Sequence, residues 1–188
     1  MDSTELNAYW EKRYATGGNS GLGTYGAWGK MKADLVNKFI TKYSLKTVKD
    51  FGCGDGNQAA SLGFEMYHGF DWAPSAISLC LKKYAGDPTK SFKHNSEYVS
   101  FPTDTNMSLD VIYHIVNDHD LEVYFKRLFD QCSYVIIHST FFDGDVNELG
   151  HAKSRDIGRL IQRFGINCTQ LEFEPCYGET HVALYKNG

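Results

Sequence analysis

The sequence predicts an α/β domain built on a mainly parallel β-sheet, with helices on both faces and an antiparallel hairpin at the C-terminal end. The first observation is that short runs of β-type residues alternate with helical stretches between residues 47 and 164. Such alternation requires crossover connections, which place parallel strands beside one another. The second observation is that the last two β-type runs are separated by only the four residues CYGE, which is typical of a hairpin.

The elements are predicted from residue type and spacing. Helices are expected over residues 5–14 and 30–43. Between them, residues 17–29 contain six glycines in thirteen positions, too many for the interior of a helix or strand. The later elements are expected as strand 47–52, helix 58–62, strand 66–71, helix 74–84, strand 91–95, strand 109–116, helix 119–132, strand 134–139, helix 152–164, and strands 168–175 and 180–187.

Length and composition favour one soluble domain. A chain of 188 residues fits a single core, with residues 1–45 forming N-terminal helices around the glycine-rich segment and 46–188 forming the α/β core. A net charge of −4 argues against a nucleic acid as the main partner. The apolar runs are too short to span a membrane, the N-terminus lacks signal-peptide character, and five scattered cysteines suggest no disulfide framework. We therefore expect a cytoplasmic protein with no nucleic-acid or membrane partner.

The clearest motif is VKDFGCGDGNQ at residues 48–58, which spans the end of the first strand and the turn after it. Glycine suits a turn whose backbone presses against a ligand, so Gly52, Gly54 and Gly56 are expected to form a cofactor-binding turn. The spacing is GxGxG, and Asn57 stands where a dinucleotide fingerprint would have glycine, which weakens the nicotinamide or flavin alternative.

An acidic residue ends the second strand. Asp71 lies nineteen residues after Gly52, where a carboxylate can accept hydrogen bonds from both hydroxyls of a ribose. Asp50 precedes the turn, and Trp72 offers a face for adenine. The alternative is that the glycine motif is a surface turn and that Asp71 caps the helix beginning near Pro74.

These residues resemble the class I S-adenosylmethionine (SAM) dependent methyltransferases, whose first motif is an acidic residue with GxGxG and whose second is an acid ending strand two. The resemblance covers residues 46–186. It implies a three-layer Rossmann-like fold with a seven-stranded sheet, and SAM as the cofactor. By motif match it implies that the methionine part of SAM is surrounded by Asp50, Gly52, Gly54 and Gly56, and that the ribose is bound by Asp71.

Position within the same resemblance suggests further contacts. Asn95 and Ser96, after the third strand, fall where the family contacts adenine. Tyr113 and His114, in the expected fourth strand, would lie beside the methionine end. Segments 9–26, 108–118 and 151–155 resemble a group of small bacterial and viral methyltransferases associated with glycan synthesis, which implies a small-molecule or sugar hydroxyl as the acceptor.

Carboxylates and imidazoles near the C-terminal ends of the strands are candidates for catalysis, because ligands of open α/β sheets bind there. A positioned base would assist a hydroxyl acceptor. His114 lies inside the expected fourth strand, and Asp118 lies just beyond its end. His151 and Arg155, spaced i and i+4 at an expected helix start, are the second candidate pair. Each histidine could instead be a packed structural residue.

A metal-dependent alternative is a set of oxygen ligands after strands four and five, of the kind that binds magnesium in some O-methyltransferases. These residues are Asn117, Asp118, Asp120, Asp143 and Asp145. Loops are commonly acidic because they are solvated, so no metal is expected.

Absent motifs also narrow the acceptor. The sequence YHIVND lacks the Pro-Pro-aromatic motif of amine-methylating DNA enzymes, and the Pro175–Cys176 pair lies in the terminal hairpin rather than near strand four. A SAM-binding regulatory module without catalysis and a nicotinamide oxidoreductase remain as alternatives.

The glycine-rich segment is expected to act as a lid that closes over the cofactor. Its polar and aromatic residues could contact a ligand, and Tyr25 is expected to touch the cofactor. The alternative is an ordinary surface loop that joins two helices.

Overall fold

The protein folds into a seven-stranded β-sheet with helices on both faces. A computed structural model describes residues 3–145 and 150–188. The helices are α1 (Ser3–Ala15), α2 (Gly26–Tyr43), α3 (Pro74–Lys83), α4 (Asp118–Leu128) and α5 (Ile157–Arg163). The strands are β1 (Thr47–Phe51), β2 (Met66–Asp71), β3 (Lys90–His94), β4 (Thr103–Leu109), β5 (Cys132–Thr140), β6 (Cys168–Pro175) and β7 (Thr180–Asn187).

The strand order confirms the predicted sheet. It runs β3-β2-β1-β4-β5-β7-β6, and β1 to β5 pair in parallel. Strand β7 is antiparallel to both β5 and β6, so the C-terminal hairpin is present and β6 forms the edge. The order reverses between β1 and β4, which places the cofactor motif at the topological switch point where ligands of such sheets bind.

Two apolar layers hold the helices against the sheet. On β5, Ile136 packs into the cluster that contains residues of α2 and α3, whereas Val135 and Ile137 pack into the cluster with α4 and α5. This alternation results from the two-residue period of a strand. The three-layer α/β/α arrangement predicted from the sequence is therefore confirmed.

The predicted position of the fourth strand is wrong. The strand spans Thr103–Leu109, not 109–116, and its sequence TDTNMSL is polar although the strand is buried. Two of its buried polar side chains are paired: the Asn106 amide donates to the carbonyls of Leu128 and Asp130 at 2.9 and 2.8 Å, and Ser108 Oγ lies 2.7 Å from the Tyr124 hydroxyl. Because these pairs are made by residues distant in sequence, the polar composition gives no sign of a central strand.

The segment expected to be strand four is instead a turn. Asp110 adopts a left-handed φ of 63°, which ends β4. Ile112–His114 then form a short 3-10 turn with Ile112 buried. Tyr113 and His114 thus lie beyond the strand, where they are free to face the space above the sheet.

Three helix predictions also need correction. Residues 58–62 form only a 3-10 turn, Gln58–Ala60. Helix α2 begins at Gly26 rather than residue 30, since the Gly29 N–H already makes a helical hydrogen bond to the carbonyl of the N-cap residue Tyr25 at 3.3 Å. Helix α5 begins at Ile157 rather than 152, since the Asp156 side chain caps it by accepting from the Arg159 N–H at 3.2 Å.

None of the helices within residues 3–145 and 150–188 combines the length and hydropathy needed to cross a membrane.

Candidate functional site

Three glycines with positive φ carry the chain out of β1. Gly52, Gly54 and Gly56 have φ angles of 92°, 55° and 70°, in a region that costs energy for residues with a side chain. The Gly52 N–H donates to the Phe70 carbonyl at 2.7 Å, which joins the turn to the end of β2. The turn therefore offers backbone atoms to a ligand above the strand ends.

Asp71 ties the glycine turn to the second strand end. Its Oδ2 accepts from the Gly54 N–H and its Oδ1 from the Ala73 N–H, both at 2.9 Å. Burial raises the pKa of Asp71, while these backbone hydrogen bonds oppose the rise. Each oxygen keeps acceptor capacity, so the carboxylate can still receive hydroxyl groups. Asp71 is not the helix cap of the alternative interpretation, because the N-cap position of α3 is Ala73.

Asp50 is a buried carboxylate that is only half paired. The Tyr67 hydroxyl donates to its Oδ2, but its Oδ1 has no hydrogen-bond partner in the described parts of the chain. Burial raises the pKa of Asp50 to about 7. A buried acceptor without a partner is costly, and a cationic donor beside it would remove that cost.

A cavity of about 320 Å³ opens above these residues. Its wall combines the C-terminal edge of the sheet with α1, α4, the first turns of α2 and part of the glycine-rich segment. Eight of the residues predicted from the sequence line it: Asp50, Gly52, Gly54, Asp71, Trp72, Asn95, Tyr113 and His114.

The other six predicted residues do not line this cavity; they are Gly56, Ser96, Tyr25, Asp118, His151 and Arg155. A Cβ at Gly56 would meet Cys80 Sγ at 2.9 Å, so this glycine allows α3 to approach the turn. The Ser96 hydroxyl lies 2.7 Å from the Nδ1 of His94, which caps the turn after β3.

Asp55, which sequence reasoning missed, fastens the glycine-rich segment to the glycine turn. Its Oδ2 accepts from the Ser20 N–H at 3.0 Å and from the Tyr25 hydroxyl at 2.7 Å. Burial and this hydrogen bond raise the pKa of Tyr25, so its hydroxyl remains a donor. Tyr25 thus contacts Asp55 rather than the cavity, whereas Ser20, Gly23 and Thr24 form part of the wall.

A second missed feature is a polar cluster centred on Asp110. The Tyr113 and Tyr177 hydroxyls donate to its Oδ1, both at 2.9 Å. Lys32 pairs with its Oδ2, and His138 Nδ1 lies 2.7 Å from Oδ1. Burial opposes ionisation, but His138 and Lys32 hold the pKa of Asp110 well below its usual range. Correct placement of β4 would have shown an acidic residue at its C-terminal end.

His114 is held in one orientation at the cavity wall. Its Nδ1 lies 2.9 Å from the His151 carbonyl, which can only accept, so Nδ1 carries the proton of the neutral ring. The ring stacks on His151 and meets Trp10 edge-on at 5.0 Å. Burial lowers the pKa of His114 to about 4. At neutral pH the imidazole is therefore uncharged, with the lone pair on Nε2.

Arg155 links residues 115–116, which follow the 3-10 turn at the cavity, to the first residue of α4. It is 4% exposed, and its guanidinium donates to Asp118 Oδ1 and the Val116 carbonyl, both at 2.8 Å, and to the Ile115 carbonyl at 3.2 Å. The expected i, i+4 pair at a helix start is wrong, because both His151 and Arg155 precede α5.

Replacing Arg155 with methionine is expected to lower the free energy of unfolding by about 1–3 kcal/mol, since two partly buried carbonyls lose their donor. Urea unfolding measures this loss. Arg163 also pairs with Asp118 but is exposed, so Arg163→Met is the matched control and should change stability by less than about 0.5 kcal/mol. Normal stability with lost turnover in Arg155→Met would instead assign Arg155 to the chemistry.

The oxygen-rich loops of the metal alternative are engaged in other contacts. The Asn117 side chain caps α4, and Asp143 pairs with Arg159 at 3.0 Å. Asp118 pairs with both Arg155 and Arg163. Within the described residues, no group of three or more His, Cys, Asp or Glu side chains is arranged to hold a metal ion.

Comparison with solved structures identifies this architecture as the class I methyltransferase fold, as the three matched structures described below are methyltransferases. No protein-family model matches the sequence, and no curated protein shows a significant match to it.

Three solved structures illustrate the likeness. The N-methyltransferase NodS from Bradyrhizobium japonicum WM9, in complex with S-adenosyl-L-homocysteine (SAH), has a TM-score of 0.79 and 13% identity over 97% of this chain and 98% of its own. Magnesium protoporphyrin IX methyltransferase (ChlM) from Synechocystis PCC 6803, with bound SAH, has a TM-score of 0.67 and 15% identity over 100% of both chains. A SAM-dependent methyltransferase from Clostridium acetobutylicum ATCC 824 has a TM-score of 0.65 and 16% identity over 98% of both. At these identities the likeness establishes the fold.

Proposed function

We propose that this chain is a SAM-dependent methyltransferase that methylates a hydroxyl group of a small molecule or sugar. The observation that carries the proposal is the juxtaposition, around one cavity, of the glycine turn with Asp71 and the neutral imidazole of His114. When bound, SAM supplies a methyl group activated by its positive sulfur. The cavity residues fit such a cofactor because Asp71 keeps acceptor capacity for ribose hydroxyls and Asp50 Oδ1 is a buried acceptor without a partner in the described residues.

The residues of the acceptor side have distinct tasks. A hydroxyl that gains a methyl group must release its proton, and His114 Nε2 is the acceptor we assign to that proton. The His151 carbonyl holds the other ring nitrogen, so the base does not rotate away. Trp10, Tyr14 and Tyr113 add aromatic surface to the wall, which suits an acceptor that offers both apolar faces and hydroxyls.

The glycine-rich segment is proposed as the lid of this site. Asp55 holds the lid against the glycine turn, because its carboxylate accepts hydrogen bonds from both Ser20 and Tyr25. In this closed arrangement the lid contributes to the cavity wall and so excludes water.

The five cysteines, none of them in a disulfide, fit a reducing compartment, and we propose a cytoplasmic location.

Replacing Asp71 with alanine is expected to weaken both SAM and SAH by about 1–3 kcal/mol, the range for hydrogen bonds to a charged group. Isothermal titration calorimetry measures the change. Asp34, an exposed carboxylate on α2, provides the control Asp34→Ala, which should bind SAH as the unsubstituted protein does. Unchanged SAH affinity in Asp71→Ala would leave Asp71 as a brace for the turn only.

Ligand titration and a methyl-transfer assay together separate the alternative functions. A methyltransferase binds SAM and SAH and releases SAH when mixed with a pool of sugars and small hydroxyl compounds. Binding of SAH without any transfer would favour the regulatory module, and binding of NAD in place of SAH would favour an oxidoreductase.

A further inference from the structure

Tyr177 lies in the turn of the C-terminal hairpin, and its hydroxyl reaches the end of β4. The hydroxyl donates to Asp110 Oδ1 at 2.9 Å. The ring stacks on Trp28, with centroids 5.0 Å apart and planes 13° apart, and its centroid lies 5.1 Å from that of His138. Tyr177 is not among the residues that line the cavity, so any effect on the reaction has to pass through Asp110.

Asp110 is held in a strained conformation by its neighbours. Its φ of 63° lies in the left-handed region, which a residue with a side chain keeps only where the surroundings fix it. Its N–H donates to the His138 carbonyl at 3.2 Å. Its Oδ1 accepts from the Tyr113 and Tyr177 hydroxyls, and Lys32 pairs with its Oδ2. Because both oxygens are engaged, this carboxylate serves as a fixed acceptor and not as a base.

The fixed acceptor holds the turn that carries His114. Tyr113 and His114 are the last two residues of the 3-10 turn Ile112–His114. The Tyr113 hydroxyl donates to Asp110 at 2.9 Å, and the Tyr113 ring meets the His114 imidazole edge-on with centroids 4.6 Å apart. A shift of Asp110 would therefore be transmitted through Tyr113 to the imidazole.

The glycine-rich segment covers the hydrogen bond between Tyr177 and Asp110. A Cβ at Gly23 would lie 2.6 Å from the Tyr177 hydroxyl and 2.8 Å from Asp110 Oδ2. The backbone of the segment thus rests directly on the pair, and Trp28 of the same segment stacks on Tyr177. This cover limits the access of water, which would otherwise compete for the Asp110 carboxylate.

We propose that Tyr177 is a positioning residue for the proton transfer assigned to His114. Its hydroxyl holds the Asp110 carboxylate, Asp110 holds Tyr113, and Tyr113 keeps the imidazole in line with the acceptor hydroxyl. The inference rests on the proposed function, and it adds to the site a residue of the C-terminal hairpin that lies outside the cavity.

The first test is Tyr177→Phe, which removes the hydroxyl and keeps the ring that stacks on Trp28. We expect kcat to fall about 10- to 100-fold, the cost of displacing a reacting group by about 1 Å, while SAH affinity stays within twofold. Rates are measured with saturating SAM and with the sugar or small hydroxyl compound of the pool that the unsubstituted protein methylates fastest. Tyr185→Phe is the control, because it removes a buried hydroxyl of β7 that has no hydrogen-bond partner in the described parts of the chain; its kcat should stay within twofold.

A second background separates positioning from a general loss of structure. In His114→Gln the base is already absent, so adding Tyr177→Phe should lower kcat no further, within twofold. A merely structural role of Tyr177 would lower kcat by the same factor whether His114 is present or replaced.

Trp28→Leu covers the case in which Tyr177→Phe does not fold. Trp28 is 46% exposed, and its replacement removes the stack on the Tyr177 ring but keeps the hydroxyl. We expect kcat to fall about 2- to 10-fold, the equivalent of one aromatic pair, and to stay unchanged when the same substitution is added to His114→Gln.

Three results would overturn the assignment. They are an unchanged kcat in Tyr177→Phe (or in Trp28→Leu, if Tyr177→Phe does not fold), the same loss with His114 present and replaced, and an equal loss in Tyr185→Phe. Failure of the proposed function gives a different result, because the unsubstituted protein would then methylate no compound of the pool.

Discussion

Replacing His114 with glutamine is expected to lower kcat by about 10²- to 10⁴-fold, the usual contribution of a general base. SAH affinity should stay within twofold, because the imidazole is assigned to the acceptor's proton rather than to the cofactor. Glutamine can still donate a hydrogen bond to the His151 carbonyl, but it has no basic nitrogen. Single-turnover rates and SAH titration measure the two effects separately.

The pH profile gives a second measurement on the same residue. Burial lowers the pKa of His114 to about 4, so the ring is already in its basic form above that pH. With SAM saturating, so that the Asp50 carboxyl with its pKa of about 7 does not limit cofactor binding, kcat should therefore not fall as the pH is lowered from about 8 to about 6. A histidine with an ordinary pKa near 6.5 would lose activity in that interval.

His119 provides the control, because it is exposed at the start of α4 and does not line the cavity. His119→Gln should retain full kcat. If His114→Gln also retained full kcat, proton transfer to His114 would be wrong, and the rate would depend on positioning of the acceptor alone.

The fold was predictable because its strongest signals are local. The glycine turn, the acid at the end of β2 and the C-terminal hairpin each lie within a few residues of sequence, and strands β6 and β7 have the predicted bounds. Strand β4 was missed because its polar residues are paired by distant groups, as Asn106 is by the carbonyls of Leu128 and Asp130. Apolar periodicity carries no information on such pairs.

The glycine motif and the acid at the end of β2 were predictable to a similar degree, and the polar cluster around Asp110 was not. Asp50 and Asp71 belong to a motif with fixed spacing, and both line the cavity. Lys32, Asp110 and Tyr177 are brought together from α2, the end of β4 and the terminal hairpin. Each is unremarkable in its own stretch of sequence, and the sheet topology alone makes them neighbours.

Arg155 shows how an expected catalytic residue can have a structural explanation. Its helical spacing from His151 and the resemblance of segment 151–155 suggested a catalytic role. In the structure its guanidinium donates hydrogen bonds to the Asp118 carboxylate and to two backbone carbonyls. A capping signal at Asp156 would have moved the predicted helix start and removed the helical spacing from His151 that supported the pair.

Replacing Gly54 with valine is expected to abolish detectable SAH binding in a protein that still folds. The sequence suggested that the added side chain would enter the cofactor's place, and the structure gives a more specific reason. A Cβ at this position would clash with Ser20 Oγ and lie 2.9 Å from the Tyr14 hydroxyl. The lid and α1 would have to move outward, and the N–H that Gly54 donates to Asp71 would be displaced.

A matched glycine separates this effect from backbone strain. Gly54 and Gly165 have similar φ angles, 55° and 65°, but a Cβ at Gly165 would meet no atom within 4 Å. Valine in the left-handed region costs on the order of 1–3 kcal/mol at either site, so thermal unfolding should show a comparable loss of stability in Gly165→Val. Only Gly54→Val should lose SAH binding, because only there does the side chain push the lid and α1 away from the turn. Equal SAH affinity in the two folded variants would mean that the turn does not border the cofactor.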